Sequence, residues 1–166
     1  MAKLSVYFLL SSLFIISLLP LAYSKQRVIN ITFYLQDQFN ISQPIKYGDV
    51  FAYQDPLTVA PSPTSRQVGR AQGTIAFTAH DASFDLHMSV AYIFTSGIYN
   101  GSTVVCVGRS DVTNPIRQFA IVGGTGAFKL ARGVITGTTY STEPSTFRFD
   151  LEIVLDHMSK IAMNNV

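Results

Sequence analysis

Between Phe147 and Leu155 the chain alternates residue by residue: Phe147, Phe149, Leu151, Ile153 and Leu155 are apolar, while Arg148, Asp150 and Glu152 between them are charged. A helix would scatter these apolar side chains around its circumference, whereas a strand lines them up on one face. The segment is therefore extended, with one face buried and the other wet. The same period governs Val28 to Asp37, where Ile29, Ile31, Phe33 and Leu35 oppose Asn30, Thr32, Tyr34 and Gln36. It returns from Ser83 to Thr95, with Phe84, Leu86, Met88, Val90, Tyr92 and Phe94 on one side. No window of helical period with caps stands out in residues 25–166.

The turn signals are as regular as the strands. Phe94 to Gly133 reads strand, turn, strand, loop, strand, turn, strand: Asn100-Gly101 fits a type I′ hairpin turn, and Gly123-Gly124-Thr125-Gly126 marks a second sharp reversal. The strand after it is expected from Phe128 to about Tyr140. Nearer the N-terminus, residues 38–48 read as loop, Val50 to Tyr53 as a short strand, and Asp55-Pro56-Leu57-Thr58 through Ser65 as an irregular crossing. Gln67 to Ala79 resumes as strand. About eight strands at short spacing specify an all-β sandwich or barrel. A barrel of that size removes exposed edges and encloses one small-ligand cavity.

Residues 1–24 carry the marks of a secretory signal peptide: Lys3, an apolar core from Leu4 to Leu19, and the small-x-small site Ala22-Tyr23-Ser24. This leaves 25–166 as one domain, with no second long apolar stretch and no membrane association after cleavage. The formal charge of +2 falls by one with Lys3, and no basic run offers a footprint for nucleic acid. The sequons Asn30-Ile31-Thr32, Asn40-Ile41-Ser42 and Asn100-Gly101-Ser102 accord with export, Asn30 and Asn40 being the better acceptors because Asn100 serves a turn. Cys106, the single cysteine, sits in the apolar run Val104 to Val107 and reads as core. His80, His87 and His157 are too scattered for a metal site, so no metal is expected. Neither a Gly-x-Ser-x-Gly elbow nor a P-loop occurs, and no redox cofactor site is visible.

What remains is an aromatic, apolar cavity with a few polar groups. The candidates at strand ends are Asp37, Asp55, Tyr99, Arg117 and Arg132. Asp37 shares the parity of the inner row of its strand, which puts a carboxylate at the cavity mouth. Asp55 precedes Pro56 and equally fits a turn. Tyr99 fits packing beside a hairpin, and Arg132 either a buried ion pair or an exposed position.

These residues belong to motifs that, taken together and in order, resemble the plant dirigent proteins: Asp55-Pro56-Leu57-Thr58, Val68-Gly69-Arg70-Ala71-Gln72-Gly73, Phe94-Thr95-Ser96-Gly97 with Tyr99 to Thr103, Gly108-Arg109, Val122 to Gly126, and Ala131-Arg132-Gly133. The resemblance implies an eight-stranded antiparallel barrel of the allene-oxide-cyclase-like kind, secreted to the apoplast, glycosylated, and self-associating as a dimer or trimer. It further implies stereoselective coupling of monolignol phenoxy radicals in lignan and phenylpropanoid metabolism, with an external laccase or peroxidase making the radicals and no cofactor in the protein. A stand-alone quinone-methide cyclase of the pterocarpan-synthase kind and a non-catalytic phenolic-binding module are the alternatives. On this reading Asp37 is the candidate proton donor, Tyr99 and Arg132 stabilise a developing phenolate, and Asp55, Phe33, Phe94, Arg117 and Ile121 contact the substrate. The chain departs from the family pattern at Gln36, Gln54, Gln118-Phe119 and Ala127.

Overall fold

A computed structural model describes residues 26–38, 44–80 and 85–155. The expected signal peptide, the Asn40 sequon and His157 lie outside these residues. Eight strands run in order, β1 (Arg27–Gln36), β2 (Val50–Thr58), β3 (Gln67–Phe77), β4 (Asp85–Phe94), β5 (Thr103–Asp111), β6 (Ile116–Thr125), β7 (Arg132–Thr142) and β8 (Ser145–Leu155). Each pairs antiparallel with its sequence neighbour, and β8 pairs back onto β1 along Arg27–Gln36 to close a barrel. This resolves the choice between sandwich and barrel.

The alternation seen in the sequence decides which side chains fill the interior. Ile29, Phe33 and Leu35 of β1 and Phe149, Leu151, Ile153 and Leu155 of β8 are buried, and their charged neighbours face out. Closure leaves one short seam: β1 and β2 pair in register only at Tyr34↔Thr58 and Leu35↔Leu57. Pro56 follows immediately and has no N–H to continue a ladder.

Three local expectations change. The Asp55–Thr58 stretch is strand rather than irregular crossing, with Asp55 paired to Ala71. Asn100-Gly101 is not a type I′ turn, because Asn100 has φ −51° and ψ 132° while only Gly101 has positive φ, at 80°. With the Ser102 N–H donating to the Tyr99 carbonyl at 2.9 Å, this is a type II turn. Gly123, Gly124 and Thr125 extend β6, so the reversal comes later, at a 3₁₀ turn over Gly126–Phe128, and β7 begins at Arg132 rather than Phe128.

Antiparallel order gives the barrel two distinct ends. One carries the β1–β2, β3–β4, β5–β6 and β7–β8 connections; the other carries β2–β3, β4–β5 and β6–β7. The second end is sealed by rings: Tyr99 packs on Phe128 at 4.8 Å between centroids, and both touch Phe94 at 6.1 and 5.6 Å. The first end is where the interior opens.

Candidate functional site

The open end holds a cavity of about 250 Å³, small for a ligand site. Its walls are Leu35, Ile75, Phe77, Leu86, Met88, Phe119, Phe147 and Phe149, and its polar groups are Asp37, Tyr53, Asp55, Ser110 and Arg117. Every strand contributes to it. Gly137 of β7 makes room for the aromatic wall, since a Cβ there would lie 2.7 Å from the Phe149 ring.

The short β1–β2 seam places the two acids. Its register, carried past Leu35↔Leu57 and past Pro56, sets Asp37 opposite Asp55. The Asp55 carboxylate accepts the Gln38 N–H at 3.0 Å, and the Asp37 carboxylate accepts the Ser145 hydroxyl at 3.0 Å. Asp55 is only 3% exposed. Burial first, and then the charge of Asp37, push its pKa up to about 6 against the pull of the Gln38 hydrogen bond. Asp55 therefore keeps its proton to a higher pH than an ordinary carboxyl does.

Behind the acids, Gln36 is buried on the far side of the strand, donating from Nε2 to the Thr58 hydroxyl at 2.9 Å and to the Pro61 carbonyl at 3.1 Å, and accepting the Thr146 hydroxyl at 3.1 Å. The alternation assigned Gln36 to a wet face. The segment after β2 folds over it and converts that face into a polar clamp joining β1, β2 and β8. Deeper inside, the Tyr53 hydroxyl is buried with no hydrogen-bond partner among the described residues, and burial, then Cys106, Asp55 and Asp37, raise its pKa. Cys106 is buried against Tyr92, and burial takes its thiol to about 11, an unreactive core group as expected.

Arg117 stands on β6, across the barrel from the acids. Its guanidinium donates to the Thr139 hydroxyl at 2.5 Å and lies 5.0 Å over the Phe147 ring. Burial lowers its pKa, with Asp111 opposing.

Of the expected site residues, the structure therefore gathers Asp37, Asp55 and Arg117 around one cavity. It does not bring Tyr99 and Arg132 to them. Tyr99 belongs to the ring cluster that seals the opposite end, and Arg132 opens β7 at that same end, pointing its exposed side outward. Phe94 and Ile121 are core residues outside the cavity lining, and Phe33 stands one ring behind it, 5.9 Å from Phe149. The convergence failed because turns on successive hairpins alternate between barrel ends, a fact of topology that residue spacing does not carry. Phe147 and Phe149 were legible from the inner parity of their strand; Phe119 lay in a strand given no face, and Tyr53 was hidden in a segment too short to assign one. Asn30 and Asn100 are exposed, as an acceptor requires. Among the described residues, no three His, Cys, Asp or Glu side chains gather where they could hold a metal.

The family model described as "Dirigent-like protein" matches residues 23–155. Dirigent protein 1 of Arabidopsis thaliana is 37% identical over 134 residues, covering 71% of this chain and 72% of that protein. Pterocarpan synthase 1 of Glycyrrhiza echinata is 32% identical over 139 residues, covering 74% of this chain and 73% of its own. Among solved structures, a pterocarpan synthase dirigent protein superposes with a TM-score of 0.69 at 29% identity, over 78% of this chain and 86% of that one. A pyocyanin demethylase shares the fold, with a TM-score of 0.58 at 21% identity, over 75% of this chain and 99% of that one.

Proposed function

Since this chain belongs to the dirigent-like family, we propose that it binds a phenolic intermediate in the cavity and directs closure of a quinone methide to a single stereoisomer. The observation that carries this reading is the Asp37–Asp55 pair in an aromatic-walled cavity, where burial raises the Asp55 carboxyl to about 6 and so makes it a proton donor in mildly acidic conditions. The Asp55 carboxyl gives its proton to the quinone-methide oxygen, which becomes a phenol as the ring rearomatises. The attacking hydroxyl adds to the exocyclic carbon and its proton passes to the Asp37 carboxylate. One proton enters and one leaves, so the facing pair returns to its starting state by exchange and no oxidant is consumed. Stereochemistry follows from holding one face of the planar intermediate against Phe147 and Phe149, and a preference of about 1.4 kcal/mol gives tenfold selectivity.

The experiment is turnover of a pterocarpan precursor without oxidant, followed by chiral chromatography. One enantiomer should form with wild type, and the rate should fall about 100-fold or more in Asp55→Asn and Asp37→Asn. A racemic product formed at the uncatalysed rate contradicts the reading.

Stereo-directed coupling of monolignol phenoxy radicals is the second reading, supported by the similarity to dirigent protein 1. It requires a laccase or peroxidase as external oxidant. Chiral analysis of coniferyl alcohol dimers made with and without the protein tests it. We further place the protein outside the cell, in keeping with residues 1–24 and with the exposed Asn30, and infer self-association through the exposed Val122 and Val134 on the outer face of β6 and β7. Sedimentation of wild type against Val134→Lys reads the latter.

A further inference from the structure

The two acids belong to different sheet edges. Asp37 is held to β8, its backbone N–H donating to the Ser145 carbonyl at 3.1 Å and its carboxylate accepting the Ser145 hydroxyl. Asp55 is held to β3, opposite Ala71. Between those edges lie two register pairs, and the next position sets Gln36 opposite Pro56, which has no N–H to give. The joint, rather than either long ladder, therefore fixes one carboxyl against the other.

Gln36 stands in that joint, between Leu35 of the last pair and Asp37. Its buried amide reaches both edges: Nε2 donates to the Thr58 hydroxyl and the Pro61 carbonyl on the β2 side, and Oε1 accepts the Thr146 hydroxyl of β8. Both amide N–H groups and the carbonyl oxygen are thus in use. A buried polar network satisfied this fully rigidifies what it joins, and here it supplies across the seam the bonds that Pro56 cannot make. An apolar side chain would fill the same space and tie nothing.

Resting on the quinone-methide reading above, we propose that Gln36 is the positioning residue of the acid pair, its amide holding β2 against β1 and β8 so that Asp55 stays buried opposite Asp37. Gln36 lies outside the cavity lining and acts through Asp55 alone. The ionisable groups that share the surroundings of Asp55 are Asp37 of β1, Tyr53 of β2, Tyr92 of β4 and Cys106 of β5, with Arg117 of β6 on the same cavity.

The test follows Asp55 itself. Its carboxyl is titrated by 13C NMR, and hydrogen exchange is read at Leu57 and Ile153, in wild type, Gln36→Leu, Thr146→Val and the control Ile135→Val, which thins the buried core of β7 away from the seam. Gln36→Leu leaves the Thr58 and Thr146 hydroxyls with the Ala60 and Pro144 carbonyls at 2.9 and 3.2 Å, and melting curves verify that each variant is folded. In Gln36→Leu the Asp55 midpoint should fall from about 6 by about one pH unit, as its burial and the charge of Asp37 relax together. Exchange at Leu57 should quicken about tenfold while Ile153 holds. Thr146→Val, which cuts only the β8 arm, should move both readings the same way by less, and Ile135→Val should move neither. With a pterocarpan precursor at pH 6, kcat in Gln36→Leu should fall about fivefold at nearly constant KM, as the protonated fraction of Asp55 drops from about a half to about a tenth. An Asp55 midpoint in Gln36→Leu equal to that of wild type, a shift that Ile135→Val reproduces, or an unchanged kcat beside a shifted midpoint overturns the inference. If wild type does not turn over the precursor, the quinone-methide reading fails, and the titration and exchange still decide whether Gln36 positions Asp55.

Discussion

Asp55 shows how much a single backbone atom decides. Read as letters, Asp-Pro is a turn, and the parity argument favoured Asp37 alone; the missing N–H of Pro56 instead ends a ladder and leaves the next register position, where two carboxylates face each other across the seam. Parity is local and so was legible, whereas the partner of Asp37 depended on a pairing between strands that no spacing reveals. The consequence for stability has a definite sign. The folded-state pKa of about 6 exceeds the ordinary 3.8, so the native state binds the proton more tightly than the unfolded chain does. That contribution is complete below about 3.8 and is lost as pH rises through about 6. Asp55→Asn, which still accepts the Gln38 N–H, should therefore melt higher than wild type above pH 6 and show a flatter profile between pH 4 and 6. Melting temperature against pH checks this. Under the proposed mechanism the wild-type rate should fall as pH rises past about 6, where the Asp55 acid is lost. Cys106 gives a second residue-scale expectation: with its thiol buried and raised to about 11, it should resist a thiol reagent at pH 8 until the protein is unfolded, as a colorimetric titration with and without denaturant would show.

At the scale of elements, the two reversals that the sequence marked are the same device built twice. Ser96 and Thr125 lead in with extended backbone, Gly97 and Gly126 take positive φ, a 3₁₀ turn follows, and a type II turn closes at Ser102 and Ala131. The copies are locked together by the Tyr99–Phe128 ring contact and by the Ala127 N–H donating to the Ser102 hydroxyl at 3.0 Å. The glycines announced that reversals existed, but the exact turn type was not legible, because the 3₁₀ step rests on contacts between loops far apart in sequence. One copy has Gly101 at the left-handed position, and the other has Leu130, with φ 61° and 59% exposed. Left-handed backbone costs an L-residue with a side chain on the order of 1–2 kcal/mol. Gly101→Ala should accordingly destabilise by about 1 kcal/mol, and Leu130→Gly should raise stability by up to about 1 kcal/mol, since little apolar area is lost. Chemical denaturation of the two variants, opposite in sign, distinguishes this account from one in which Leu130 is held by packing.

For the molecule as a whole, alternation was enough to fix an all-β fold and most of its interior, but not to say that the sheet closes. Closure needs the long β1–β8 ladder, a pairing between the first and last strands. Once closed, the barrel divides its labour between ends, one packed solid with rings and the other lined for a guest. Gly137→Ala tests that division: the added methyl pushes the Phe149 ring into the cavity, so ligand affinity should drop several-fold in calorimetry while the melting temperature changes modestly. The seam has a kinetic meaning as well. A hoop fastened by a ladder along the whole of β1 on one side and by Tyr34↔Thr58 and Leu35↔Leu57 on the other yields first at the shorter fastening. Hydrogen exchange at Leu35 and Leu57 should thus outpace exchange at Leu151 and Ile153. The gap so opened runs beside Asp37 and Asp55, so under the proposed function its opening frequency sets how long a product stays bound.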